Sequence, residues 1–202
     1  MTEYIQINLI DIIENMGEPF AKEILSSFLC PQNIDIEDFL KKKAIVMAKQ
    51  NTSPTHLVYA PYKGKYVLAG YYTITLKVLR VSKAALSSDL KKRIAKFGTY
   101  SEDEKAYEIP SYLIAQLGKN YENGYDKLIS GNALLQMACG RIREIQRLGG
   151  GKVTYLECED REKIINFYER NGFKRFDKRE IERSDKRLFK SDYFIRMLKY
   201  LG

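Results

Sequence analysis

The stretch Val153-Thr-Tyr-Leu-Glu-Cys-Glu-Asp-Arg-Glu-Lys-Ile-Ile-Asn-Phe-Tyr-Glu-Arg-Asn-Gly-Phe173 reads as a strand running straight into a helix. Lys152 to Glu157 is the strand, Glu157-Cys-Glu-Asp160 a short acidic loop, and Arg161 to Glu169 the helix. Asn171-Gly172 ends that helix, because glycine adopts left-handed backbone without a Cβ penalty. The helix carries Phe167-Tyr168, which are either core aromatics or a functional pair.

Upstream, Gly131 to Leu148 is a helix whose apolar stripe is Leu134, Ala138, Ile142, Ile145 and Leu148, closed by Gly149-Gly-Gly151. Ile109 to Gly118 is a strand with little polar alternation, as expected when both faces are covered, and Lys119 to Ser130 is a loop. Tyr4 to Asp11 alternates Ile5, Ile7 and Leu9 against Gln6 and Asn8, a strand pattern. A helix is expected over Glu18 to Phe28, and a second, amphipathic one over Asn33 to Lys49 with Ile36, Phe39, Leu40, Ala44 and Met47 inward. Thr55 to Ala60 and Tyr66 to Val81 read as strands joined through Pro61-Tyr-Lys-Gly-Lys65, followed by a basic helix over Ser87 to Phe97 and a loop at Ser101 to Lys105. Phe173 to Phe176 and, after the charged Asp177 to Arg187, Tyr193 to Tyr200 complete the strands. The sum is an α/β chain with a mixed sheet and helices on both faces.

At 202 residues the chain suits one domain, residues 1–202. No apolar run is long enough to span a bilayer, and Met1-Thr-Glu-Tyr-Ile has no basic segment leading into an apolar one, so neither membrane nor secretion is expected and the cytoplasm is. Cys30, Cys139 and Cys158 are widely spaced, giving neither a disulfide framework nor a metal cluster, and the single histidine, His56, reads as a strand-edge residue; no metal is implied. The net charge of +8 favours acidic partners, a phosphorylated cofactor, nucleic acid or anionic lipid, or simply makes a solvated lysine-rich surface.

Strand, acidic loop, Phe-Tyr helix and Gly-Phe in this order resemble the C-terminal half of the GNAT superfamily of acyl-CoA-dependent N-acetyltransferases. The resemblance implies a mainly antiparallel mixed sheet whose central strand pair splays apart, with acetyl-CoA as co-substrate in the opening. It places Tyr168 as general acid toward the departing thiolate, since a phenol can protonate or hydrogen-bond a sulfur anion. The pyrophosphate belongs on the N-terminus of the Gly131 helix, at Ile129, Ser130, Gly131, Asn132 and Ala133, where unpaired amides and the helix dipole favour an anion. Family members carry Arg/Gln-x-x-Gly-x-Gly/Ala there; this chain has Asp126 and Ile129 at the first two conserved places, and Lys119 and Lys127 are candidates for the missing positive charge. Arg161 stands where matching helices often carry asparagine and is a further candidate for a phosphate contact.

The same resemblance assigns the Leu117 or Gly118 amide to the acetyl carbonyl, with Lys119 following. Candidates for the amine's base are Glu157, Glu159 and Glu108 before the central strand; an amine that arrives neutral or gives its proton to water needs none, and a solvated acidic loop is the alternative for the first two. Cys158 has no histidine nearby in sequence to activate it as a nucleophile.

Phe28-Leu-Cys30, Ile36-Glu-Asp-Phe-Leu40, Ala44, Ser53 with Thr55-His-Leu-Val58, Ala69-Gly-Tyr-Tyr72 and Ile109-Pro110 fall in the order found in the bacterial GNAT branch that includes toxin-antitoxin acetyltransferases, over roughly residues 20 to 175. That branch makes aminoacyl-tRNA a candidate acceptor and an antitoxin a candidate partner; a second copy of the chain is a further candidate partner. Lys41-Lys-Lys43, Lys91-Lys-Arg93 and Arg141 to Arg147 are candidate tRNA contacts, or solvated helix faces. The expectation is therefore an acetyl-CoA-dependent N-acetyltransferase acting on a primary amine. The alternative is a GNAT-like module that binds nucleic acid or protein without turnover.

Overall fold

The computed structural model describes residues 3–181 and 191–201, so part of the charged segment expected over Asp177 to Arg187 lies outside the described residues. The strands β1 (Ile5–Asn8), β2 (Thr55–Tyr62), β3 (Lys65–Ser82), β4 (Thr99–Ser101), β5 (Ala106–Lys119), β6 (Val153–Glu159), β7 (Lys174–Glu180) and β8 (Tyr193–Tyr200) are hydrogen-bonded in the order β1-β2-β3-β5-β6-β8-β7, with β4 on β5. The β1–β2, β2–β3, β4–β5, β6–β8 and β7–β8 pairs are antiparallel and β5–β6 is parallel. The chain divides into two compact units, one made of Met1–Thr75 and Ile114–Gly140, the other of Leu76–Leu113 and Arg141–Gly202.

In the first unit β1 spans only Ile5–Asn8, and the expected strand to Asp11 becomes helix α1 (Leu9–Met16). Asn8 causes the switch: its side chain accepts a hydrogen bond from the Ile10 amide (3.4 Å), which starts a helix with Leu9 and Ile12 buried. Gly17, at φ 89°, breaks the path before α2 (Glu18–Ser26). Asn33 caps α3 (Ile34–Asp38), but the single helix expected to Lys49 is interrupted by a π-helical turn, Phe39–Lys43, before α4 (Ala44–Lys49). The wider turn shifts the apolar stripe, so Ile45 and Ala48 join Phe39, Leu40 and Ala44 in the core while Met47 is half-buried. β2 (Thr55–Tyr62) and β3 (Lys65–Ser82) run further than expected, to a two-residue turn at Lys63-Gly64 with φ of 48° and 78°, values that match the strands' right-handed twist. His56 is not at an edge: it pairs with Asn8 on one side and Tyr72 on the other and stacks on the Tyr72 ring at 5.0 Å.

In the second unit β4 (Thr99–Ser101), unexpected from the sequence, pairs with the start of β5 (Ala106–Lys119). Ser87 caps α5 (Ser88–Ile94). β6 (Val153–Glu159) pairs with β8 (Tyr193–Tyr200) over its whole length, from Val153↔Tyr200 to Glu159↔Phe194. With β5 it pairs only from Ser111↔Val153 to Leu113↔Tyr155, although both strands go on. β7 runs over Lys174–Glu180 rather than stopping at Phe176. Leu79, Val81, Ile94, Ile109, Tyr155, Phe176 and Leu198 form the core of this unit. α6 (Gly131–Gly149) buries Leu134, Ala138 and Ile142 as expected, but Ile145 is half-buried and Leu148 is 92% exposed.

Candidate active site

Each unit carries one set of the expected functional residues. In the second, α7 (Glu162–Arg170) follows β6 through Asp160 and Arg161. Its end is fixed by several bonds: Gly172, at φ 83°, lets the Phe173 amide reach the Tyr168 carbonyl (3.1 Å), Asn171 Nδ2 donates to the Phe167 carbonyl (2.9 Å), and Lys199 Nζ donates to the Asn171 carbonyl (2.7 Å). The Tyr168 ring is wedged edge-on between Phe167 (5.0 Å) and Phe173 (5.9 Å), while its hydroxyl makes no hydrogen bond among the described residues. Burial, and then the neighbouring Cys158, push the Tyr168 phenol well above the usual tyrosine value. The side chain is therefore a rigidly held hydrogen-bond donor that stays protonated across the physiological range.

The two acidic candidates on β6 differ. Glu157 is bound by Arg179 through Nε (2.8 Å) and Nη2 (2.7 Å), and Arg196 adds a charge at 3.5 Å, so its oxygens are engaged in linking β6 to β7 and β8. Glu159 is 9% exposed, and its carboxylate has no hydrogen-bond or ion-pair partner among the described residues. Glu159 is thus the carboxylate with acceptor capacity left for a ligand. Glu108 pairs with Arg80 (2.7 Å). Burial pushes the Cys158 thiol up to about 12, so it carries no thiolate for nucleophilic work near neutral pH. Arg161 caps α7 through its backbone only, and its side chain is exposed.

In the first unit, the end of β5 is held by a residue the sequence did not single out. Asn120 is 1% exposed. Its Oδ1 accepts from the Leu29 and Glu122 amides (3.0 Å each), its Nδ2 donates to the Leu68 carbonyl (2.9 Å), and its amide donates to the Ala69 carbonyl (2.8 Å). Peptides alternate direction along a strand, so the Gly118 amide also faces β3, and the Leu117 and Lys119 amides face the opposite edge. Of the two residues expected to meet an acetyl oxygen, Leu117 is the one with a donor on that edge. Gly118 is required by packing: a Cβ there would collide with Ile36 and lie 3.3 Å from Tyr71. Gly70 is required by backbone, since its Cβ would sit 2.7 Å from the Gly118 carbonyl oxygen. Gly70→Ala is expected to destabilise the protein by about 1–3 kcal/mol, because a carbonyl in a ladder cannot move aside. The corresponding fall in melting temperature is roughly 2–4 °C per kcal/mol, and an unchanged melt would contradict the close approach.

From Lys119 the chain makes a turn, Tyr121 to Leu128, with Asn123 and Gly124 in left-handed conformation (φ 50° and 76°). Lys119 Nζ closes it by donating to the Asp126 carbonyl (2.8 Å), and Tyr4 Oη donates to the Leu128 carbonyl (3.0 Å). Ile129 is buried and Ser130 caps α6, its hydroxyl accepting from the Ala133 amide (3.0 Å). The Ala133 amide is thereby taken by the chain itself, and Lys127 is exposed at the end of the turn with no ion pair among the described residues.

The architecture is an open, mostly antiparallel mixed sheet with flanking helices, the GNAT-like fold expected from the sequence. Among solved structures it matches "Crystal structure of bacterial toxin" (TM-score 0.65, 18% identity, 100% of this chain and 92% of that one). It also matches "AtaT complexed with acetyl-methionyl-tRNAfMet" (0.62, 16%, 96% and 94%). A third match is a tyrosine-to-phenylalanine mutant of KacT (0.63, 13%, 98% and 95%). At these identities the likeness is one of fold. No family model and no curated protein matches the sequence.

Proposed function

We infer that this chain is an N-acetyltransferase that moves the acetyl group of acetyl-CoA directly to a primary amine. The observation that supports this most is the hydroxyl of Tyr168, unengaged among the described residues, on a rigid helix following β6, in a fold matched over nearly its whole length by bacterial toxin structures, one of them described as AtaTR bound with AcCoA. The Gly131 end of α6, with Asn132, Lys127, Ser130 and Ile129 shaping it, would hold the pyrophosphate, and the exposed Arg161 side chain would meet a phosphate. The Leu117 amide would donate to the carbonyl oxygen as it gains charge. Glu159 would accept a proton from the amine, directly or through water. Tyr168 would stabilise the departing thiolate by hydrogen bonding more than by full proton transfer, because its own proton is held so tightly.

For the acceptor, the charge of +8 and the complex of AtaT with acetyl-methionyl-tRNAfMet favour aminoacyl-tRNA. An antitoxin partner is part of the same proposal, since AtaT has been crystallised with the C-terminus of the antitoxin AtaR. The test is transfer of radiolabelled acetyl from acetyl-CoA into acid-precipitable charged tRNA. Label in charged but not in uncharged tRNA supports this acceptor. Label in polyamine or lysine peptide alone would leave the acetyltransferase and remove the tRNA.

A further inference from the structure

The second unit contains a cavity of about 470 Å³ that none of the proposed acetyl-transfer residues lines. Its size falls in the range of about 300–1,000 Å³ usual for small-molecule sites. The apolar part of its lining comes from Ala85, Leu90, Phe176 and Ile195. Ser87 and four charged residues complete it, and two of the charged ones are already committed. Arg175 Nε donates to Glu169 (2.8 Å), and Asp177 accepts from Arg196 (3.1 Å) and from the Lys178 amide (2.8 Å).

The other two are Asp160 and Lys178. Their charged ends stand 3.7 Å apart, beyond hydrogen-bond distance, and neither side chain makes a hydrogen bond among the described residues. An exposed pair at this separation is weak and is easily parted. The pair therefore offers one acceptor group and one donor group, a few ångströms apart, beside an apolar lining.

We propose that this cavity binds a small zwitterion with an apolar body, the chemistry of a free apolar α-amino acid. The ammonium replaces Lys178 as the partner of Asp160, the carboxylate takes Lys178, and the side chain packs on Phe176 and Ile195. The proposal stands independently of acetyl transfer.

Calorimetric titration of the full chain with L-leucine, L-leucinamide, N-acetyl-L-leucine and glycine tests it. Leucine is expected to bind saturably at millimolar concentration or below, and the other three, each lacking one of the three features, about tenfold or more weakly. Asp160→Asn and Lys178→Gln should each weaken leucine by a similar factor while leaving the melting temperature within about 2 °C, as befits exposed residues. Equal affinity for leucine and leucinamide, or no saturable binding of leucine by about 50 mM, would overturn the proposal without any variant having to fold. Leucine binding undiminished in both folded variants would overturn it as well.

Discussion

Tyr168→Phe is expected to lower acetyl transfer about a hundredfold or more while leaving acetyl-CoA affinity and the melting temperature unchanged. The substitution removes only the hydroxyl, and the ring contacts to Phe167 and Phe173 stay. Because the hydroxyl bonds nothing among the described residues, its loss leaves no orphaned partner to destabilise the fold. The upward shift of the phenol adds a second expectation: activity should show no loss from phenol ionisation up to about pH 10, the ordinary tyrosine value, since burial holds the proton beyond it. Steady-state kinetics with calorimetry on the mutant check both. Unchanged turnover would show that water or the amine itself serves the thiolate.

Asn120→Ala should be the most destabilising single change outside the apolar core. It strands the Leu29 and Glu122 amides and the Leu68 carbonyl, all bonded to one buried side chain. At about 1–3 kcal/mol for each of these three unsatisfied groups, a cost of roughly 3–9 kcal/mol follows. Asn120→Asp, measured at mildly acidic pH where the buried carboxyl is neutral, keeps both acceptor bonds and can donate its O–H to the Leu68 carbonyl, so its cost there should be clearly smaller. Denaturant midpoints for the two variants decide the matter. Equal costs would mean that the carboxamide does not clamp β5 to β3 and to the Leu29 segment as described.

Much of this was legible in the sequence where the signal is local. The β6 strand and the α7 helix followed from a run of β-formers, a change of apolar spacing and the Asn171-Gly172 stop, and Tyr168 was singled out on that segment. Helix α1 was missed because Ile5, Ile7 and Leu9 satisfy a strand pattern as well as Leu9 and Ile12 satisfy a helical one; the choice is made by Asn8 acting as a cap. The π-helical turn at Phe39–Lys43 was invisible because inserting one residue changes the stripe only from Met47 to Ile45 and Ala48, all of them apolar. Long-range polar bonds leave no trace at all. Asn120 reads as a loop residue until β3 is beside it, and the partner of Glu157 lies 22 positions away. The different circumstances of Glu157 and Glu159 belong to the fold alone.

Acetyl transfer from acetyl-CoA to an amine is read from the release of free CoA thiol. Purified chain is incubated with acetyl-CoA and, separately, with charged tRNA, a polyamine and a lysine peptide. Release is expected to depend on one acceptor and to fall about a hundredfold or more in Tyr168→Phe. Release no faster than the protein-free rate with every acceptor, from a chain that melts cooperatively and so is folded, would contradict it.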